Sequence, residues 1–171
     1  ILQRRNPRRS HAVPICVEVG ADLDPGLLAE AWNRVLDRHP ILMARIVERE
    51  GVPVHHIDPA CRAVLREETL PLARSEDVVA HFQARVLEPF DLQAGPPCRI
   101  TLFTWAGGRR GLFVLVHHIV SDGFSSGVLL RALFDAYRDA AAGRAAPAPA
   151  AASGYEAFVE WERRMLESAD G

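Results

Sequence analysis

Lysine is missing from this chain altogether, so all 20 cationic side chains are arginines. That absence excludes Schiff-base chemistry and a Walker-type phosphate loop, both of which need a lysine amine. Cysteine is sparse. Cys16, Cys61 and Cys98 are odd in number and widely spaced, and with no CxxC pair they build neither a disulfide framework nor a structural zinc site. A reducing compartment, the cytoplasm, is therefore expected. No apolar run approaches the roughly 20 residues that span a bilayer. The arginine-rich start also lacks the apolar stretch of a signal peptide. Excess charge is missing too: a formal net charge of −2 leaves no surplus of cations to displace counterions along phosphates, so nucleic acid is not an expected partner.

What is present is enough for one core. A chain of 171 residues, 49% hydrophobic and 25% charged, has the balance of a single globular domain. Ala12 to Val19 is rich in Val and Ile and reads as a strand. After it, Leu27, Leu28, Ala31, Trp32, Val35 and Leu36 recur at helical spacing, with Asp24 as N-cap and Pro25 at the first helical position. Pro40 ends that helix, and short strands are expected over Ile41 to Val47, Val52 to Ile57 and Ala63 to Glu67.

A second helix is expected from Ser75, as its cap, to Leu87, burying Val78, Val79, Phe82, Val86 and Leu87. Strands over Cys98 to Trp105 and Leu112 to His118 flank a hairpin connection at Ala106-Gly107-Gly108-Arg109. A long helix from about Phe124 to Ala141 follows. Beyond it come a Pro/Ala spacer over residues 144–153 and a terminal helix over 154–168, whose Tyr155, Phe158, Trp161 and Leu166 are expected to cover apolar surface. Strands interspersed with helices predict an α/β fold.

The residues that stand out chemically are His117 and His118. Alternation puts Leu112, Val114, Val116 and His118 on one side of their strand and Phe113, Leu115 and His117 on the other. Two histidines on opposite faces make a poor metal pair, unlike the same-face helical spacing of HExxH, so no metal site is expected. The strand ends at these histidines and feeds a turn, Ser121-Asp122-Gly123, which opens the next helix. Strand termini are where a reactive side chain reaches a ligand while the sheet fixes its position. On these residues alone, Asp122 reads as a plain helix cap, Gly123 as a residue that eases the turn, and both histidines as packing against neighbours. His55, His56 and His81 have no partners at useful spacing, and no role is expected for them.

The whole string His117-His118-Ile119-Val120-Ser121-Asp122-Gly123-Phe124 resembles the HHxxxDG motif of condensation domains and chloramphenicol-acetyltransferase-like acyltransferases. Three further stretches occur in that family's order. Arg38-His39-Pro40-Ile41-Leu42-Met43-Ala44-Arg45 resembles its RHExLRT segment. Phe90-Asp91-Leu92-Gln93-Ala94-Gly95-Pro96-Pro97-Cys98-Arg99 resembles FDLxxGPLxR, and Tyr155-Glu156-Ala157-Phe158-Val159-Glu160-Trp161 is similar to YxDFAxW. Read from the residues alone, the Phe90 stretch is a rigid turn entering a strand.

The resemblance implies an α/β two-layer sandwich of a mixed β-sheet with helices, the chloramphenicol-acetyltransferase-like lobe. It implies that this chain is the N-terminal lobe of a two-lobed molecule whose site lies between lobes. The second lobe is not represented, and the opening residue Ile1 also reads as that of a fragment. In such a molecule an acyl thioester, on the phosphopantetheine of an acyl or peptidyl carrier protein or on coenzyme A, meets an amine or alcohol. No cofactor bound by the chain itself is implied. His118 is the implied catalytic residue, as general base or by positioning the nucleophile, with His117, Asp122 and Gly123 in support.

In the family the aspartate pairs with an arginine. Here the matching position is Met43, and Pro40 stands at the glutamate position, which leaves Arg38 and Arg45 as candidate partners of Asp122, or Asp122 as a cap. The isolated chain is expected to have little or no activity. Two other readings are a non-catalytic condensation-like module that docks a carrier protein or synthase subunit, and a trimeric acetyltransferase whose neighbouring subunit completes the site.

Overall fold

The computed structural model describes residues 11–145 and 154–168. Strand β1 (Ala12–Val19) leads into helix α1 (Pro25–Arg38). The Asp24 carboxylate accepts the Leu27 N–H at 2.9 Å, and Pro25 occupies the first turn, where no N–H is needed. The apolar stripe buries Leu28, Ala31, Trp32, Val35 and Leu36.

Pro40–Met43 then forms a 3-10 turn instead of the start of a strand. Proline's fixed φ suits such a turn, the Leu42 N–H bonds the His39 carbonyl at 3.0 Å, and Leu42 and Met43 are delivered to the core. Strands β2 (Ala44–Arg49) and β3 (Val52–Ile57) pair with each other as a separate antiparallel hairpin. β4 (Leu65–Thr69) starts two residues later than expected. The Ala63 carbonyl is already taken by the Trp32 indole N–H at 2.7 Å, so it does not enter a strand ladder.

Helix α2 (Ser75–Val86) is capped by Arg74, and no side chain accepts from its first turn. Ser75 is therefore not the cap: it is the first helical residue, and its hydroxyl accepts from Arg109 instead. The buried side of α2 is also narrower than expected, since Val78 and Phe82 are buried while Val79 and Leu87 are more than half exposed. β5 (Cys98–Trp105) and β6 (Arg109–His117) form a hairpin whose connection, Ala106–Gly108, places both glycines at positive φ, 74° and 75°. Helices α3 (Gly123–Ala141) and α4 (Gly154–Glu167) complete the described elements. From residue 146 to 153 the expected spacer lies outside the described residues, as do the side chains of Tyr155 and Phe158. On α4, Trp161 and Leu166 are exposed, so they do not form the buried cover expected of them.

The sheet has the order β1-β6-β5-β4, antiparallel except for the parallel β4–β5 pair. It is the mixed sheet of the expected α/β sandwich. On one face Cys98, Ile100, Leu102, Leu112, Val114 and Val116 pack against Leu28, Trp32, Leu36, Leu129 and Leu133 of α1 and α3. Full burial of each such large side chain contributes roughly 1.5–3 kcal/mol. On the other face Phe103, Trp105, Phe113 and Leu115 meet Val78 and Phe82 of α2. β6 is covered on both faces and held by strands on both edges, which makes its C-terminal end a rigid mount.

Candidate active site

That mount carries the histidines. β6 stops at His117, and His118 already belongs to the following turn. Its backbone N–H donates to the His11 carbonyl at 2.5 Å, which ties the turn to the residue just before β1. The alternation of the strand holds up to His117, which sits on the same face as Phe113 and Leu115 and is only 6% exposed. The His118 residue is exposed.

His117 is built into the fold. Its ring stands edge-on to Phe90, centroids 5.7 Å apart, and its Nδ1 accepts the Ile119 N–H at 3.1 Å. An accepting Nδ1 leaves the proton of the neutral ring on Nε2. Burial, and then the positive charge of nearby His11 and His118, push its pKa down to about 4. His117 is thus uncharged near neutral pH, and its hydrogen bond shapes the turn on which His118 stands.

The other side of that turn is fixed by Asp122. Its carboxylate accepts the Ser125 N–H at 2.8 Å and the Ser125 hydroxyl at 2.7 Å, while the Asp122 N–H reaches back to the Ser125 hydroxyl, a capping box at the start of α3. The Ser125 bonds, side chain first and then backbone, hold the Asp122 carboxyl below its usual range, with a smaller contribution from the charge of His118. The expected arginine pairing is not made. Arg45 pairs with Asp58 at 2.7 Å, Arg38 ends α1 as an exposed residue, and among the described residues no contact joins either one to Asp122. Met43, at the position where the family motif has arginine, is buried in the apolar core. Asp122 instead satisfies the open N–H groups of its own helix.

At Gly123 an added Cβ would meet nothing within 4 Å, so no packing inside this chain demands glycine there. Beside it Phe124 is 85% exposed, and Ile119 and Val128 are partly exposed.

Sequence reading missed three contributors. Ser125 was recoverable, because Asp122-x-x-Ser125 carries the spacing of a capping box. The His11 carbonyl and the Phe90 ring were not, since both arrive through tertiary pairing. Phe90 was expected only to build a turn. It does so, with Asp91 accepting the Gln93 and Ala94 N–H groups at 3.1 Å, but its ring also packs against His117. Among the described residues no group of three metal-ligating side chains is placed to hold an ion, and no helix is long and apolar enough to cross a membrane.

Known proteins are similar to this chain in sequence and fold. The dimodular nonribosomal peptide synthase of Bacillus subtilis (strain 168) is 32% identical over 164 residues, covering 96% of this chain and 7% of that protein. The first condensation domain of the CDA synthetase superposes with a TM-score of 0.83 at 26% identity, covering 98% of this chain and 42% of the solved one. The X-domain solved in complex with OxyB from teicoplanin biosynthesis superposes with a TM-score of 0.81 at 29% identity, covering 95% of this chain and 35% of that one. The chain thus spans less than half the length of the solved relatives and a small fraction of the synthase. The model of the condensation domain matches residues 2–171, and the chain belongs to the condensation-domain family.

Proposed function

We propose that this chain supplies the histidine-bearing wall of a condensation-type acyltransferase in nonribosomal peptide or polyketide-type biosynthesis. The observation that carries this reading is His118 itself. It is an exposed imidazole at the end of a strand packed on both faces, with its backbone tied to His11 and the loop after it closed by the Asp122–Ser125 cap. An imidazole so placed is suited to general-base catalysis, because a neutral ring nitrogen can accept a proton from a nucleophile within reach.

In the proposed step an amine or alcohol attacks the carbonyl carbon of an acyl thioester while His118 takes its proton. The new C–N or C–O bond forms, the C–S bond breaks, and the proton is returned to the departing thiolate. His118 acts as the base or by positioning the nucleophile. His117, Asp122 and Gly123 shape its turn, and the open space at Gly123 clears a path for the thioester arm. The thioester arrives on the phosphopantetheine of an acyl or peptidyl carrier protein, or on coenzyme A. The opposing wall comes from a C-terminal lobe or a neighbouring subunit, so the chain alone turns over little or no thioester.

A second reading, a non-catalytic module that docks a partner, draws on the relative solved in complex with OxyB and on the buried Met43 at the family's arginine position. One experiment separates the two. A pantetheinylated carrier protein is titrated onto the chain, a second condensation-type lobe is then supplied, and acyl transfer is assayed. Transfer on complementation supports the catalytic reading, whereas carrier binding with no transfer assigns the chain to docking.

A further inference from the structure

Away from His118, on the α2 face of the sheet, a cavity of about 130 Å³ collects cations that the fold leaves incompletely paired. Strand register brings them together. Arg66 on β4 lies opposite Thr101 on β5, and Thr101 lies opposite Phe113 on β6, so the three form one row across the sheet. Arg99 and Leu115 form the next row. Arg85 from the last turn of α2, and Glu88 just beyond it, close the cavity from above. Phe113 and Leu115 are its apolar floor.

The charges do not balance within this site. Arg85 is held by Glu68 at 2.8 Å, on the ring of Phe82. Arg99 is clamped over Phe90, 4.1 Å from the ring centroid, and donates to the Pro89 carbonyl at 2.7 Å, but its contact with Glu88 is a long 3.5 Å. The Glu88 side chain is 60% exposed and free to swing outward. Among the described residues Arg66 has no ion pair, and buried Thr101 is a polar residue of the cavity wall. Three guanidinium groups therefore face two carboxylates. Burial lowers the pKa of Arg99, Glu88 opposes this, and the repulsion of Arg66 and Arg85 adds to the lowering.

We infer that this cavity is a binding site for a single phosphoryl group, held by Arg66, Arg85 and Arg99 with Thr101 donating from the sheet. A cavity of about 130 Å³ has room for a compact tetrahedral anion. Guanidinium forks approaching from two strands and a helix match three acceptor oxygens, whereas a planar carboxylate is satisfied by one fork. An incoming anion displaces Glu88 from Arg99 and relieves the repulsion among the three cations. The same chemistry serves free phosphate and a phosphate monoester carried by a larger molecule.

The test is NMR titration of the 171-residue chain with inorganic phosphate, and separately with phenyl phosphate, at constant ionic strength against chloride. Saturable shifts of the Thr101 amide and the Arg99 Nε–H are expected. Saturation by both ligands assigns the site to a carried phosphoryl group, and by inorganic phosphate alone to the free ion. Arg66→Gln, at an exposed residue with no ion pair to lose, is expected to weaken binding about tenfold, and Glu88→Gln to tighten it a few-fold by removing the competing carboxylate. The inference is overturned by absent or non-saturating shifts, by acetate binding as tightly as phosphate, or by Arg66→Gln and Glu88→Gln both leaving the affinity unchanged in a folded chain.

Discussion

His117 and His118 are neighbours in the chain, yet one is enclosed between β6 and Phe90 while the other stands exposed on the turn beyond the strand. The difference comes from where the strand ends. The last residue of β6 still obeys the alternation of the sheet and points into the α2 face, while the next has left the ladder and is tied by its backbone N–H to the His11 carbonyl. One position has its chemistry suppressed by packing, and the other is supported by that same packing.

The pH dependence of stability gives the largest expected contrast. His117 has a folded pKa of about 4 against 6.5 as its ordinary value, so between these values the unfolded chain binds more protons than the folded one. Stability is then complete above about pH 6.5 and is lost as pH falls toward 4, by up to about 3 kcal/mol from this residue. Urea unfolding at a series of pH values measures it, and His117→Gln should flatten the profile over that window. A profile unchanged by His117→Gln would break the contrast. His117→Ala at pH 7.5 is the next largest effect. It removes the Phe90 contact and the anchor for the Ile119 N–H, for an expected loss of about 2 kcal/mol in the same assay.

Asp122→Ala sharpens the comparison from the other side of the turn. Losing the cap of α3 is expected to lower the thermal midpoint by about 3 °C, with Asp122→Asn retaining most of it. Arg45→Ala should not reproduce that loss through Asp122, because its partner is Asp58. The smallest effects belong to the exposed positions. His118→Ala and Phe124→Ala should each change stability by less than about 0.5 kcal/mol. A large destabilisation by His118→Ala would mean that this residue too is part of the scaffold.

How far the sequence revealed this depended on how local each signal was. The Asp24-Pro25 start of α1 and the Gly107-Gly108 hairpin are set by neighbouring residues, and both were legible. Strand alternation gave the face of His117, but it also put His118 on the opposite face of a strand that ends one residue earlier. The 3-10 turn at Pro40–Met43 was not legible, because Ile41, Leu42 and Met43 are apolar in any conformation and periodicity over so few residues does not separate turn from strand. The start of β4 depended on an indole 31 residues away that takes the Ala63 carbonyl. At the site, the motif singled out His118 and Asp122, but it also implied an arginine partner that this chain replaces with the local Ser125 cap. The Phe90 ring reaches His117 only through the order of strands in the sheet, which no local pattern encodes.

We propose that His118 carries chemistry and His117 carries structure. The most direct test is the initial rate of acyl transfer by the chain complemented with a second condensation-type lobe, compared between wild type and His118→Ala. The expected result is a fall of about 10²–10⁴-fold with an unchanged thermal midpoint. Transfer at the wild-type rate in His118→Ala would contradict it.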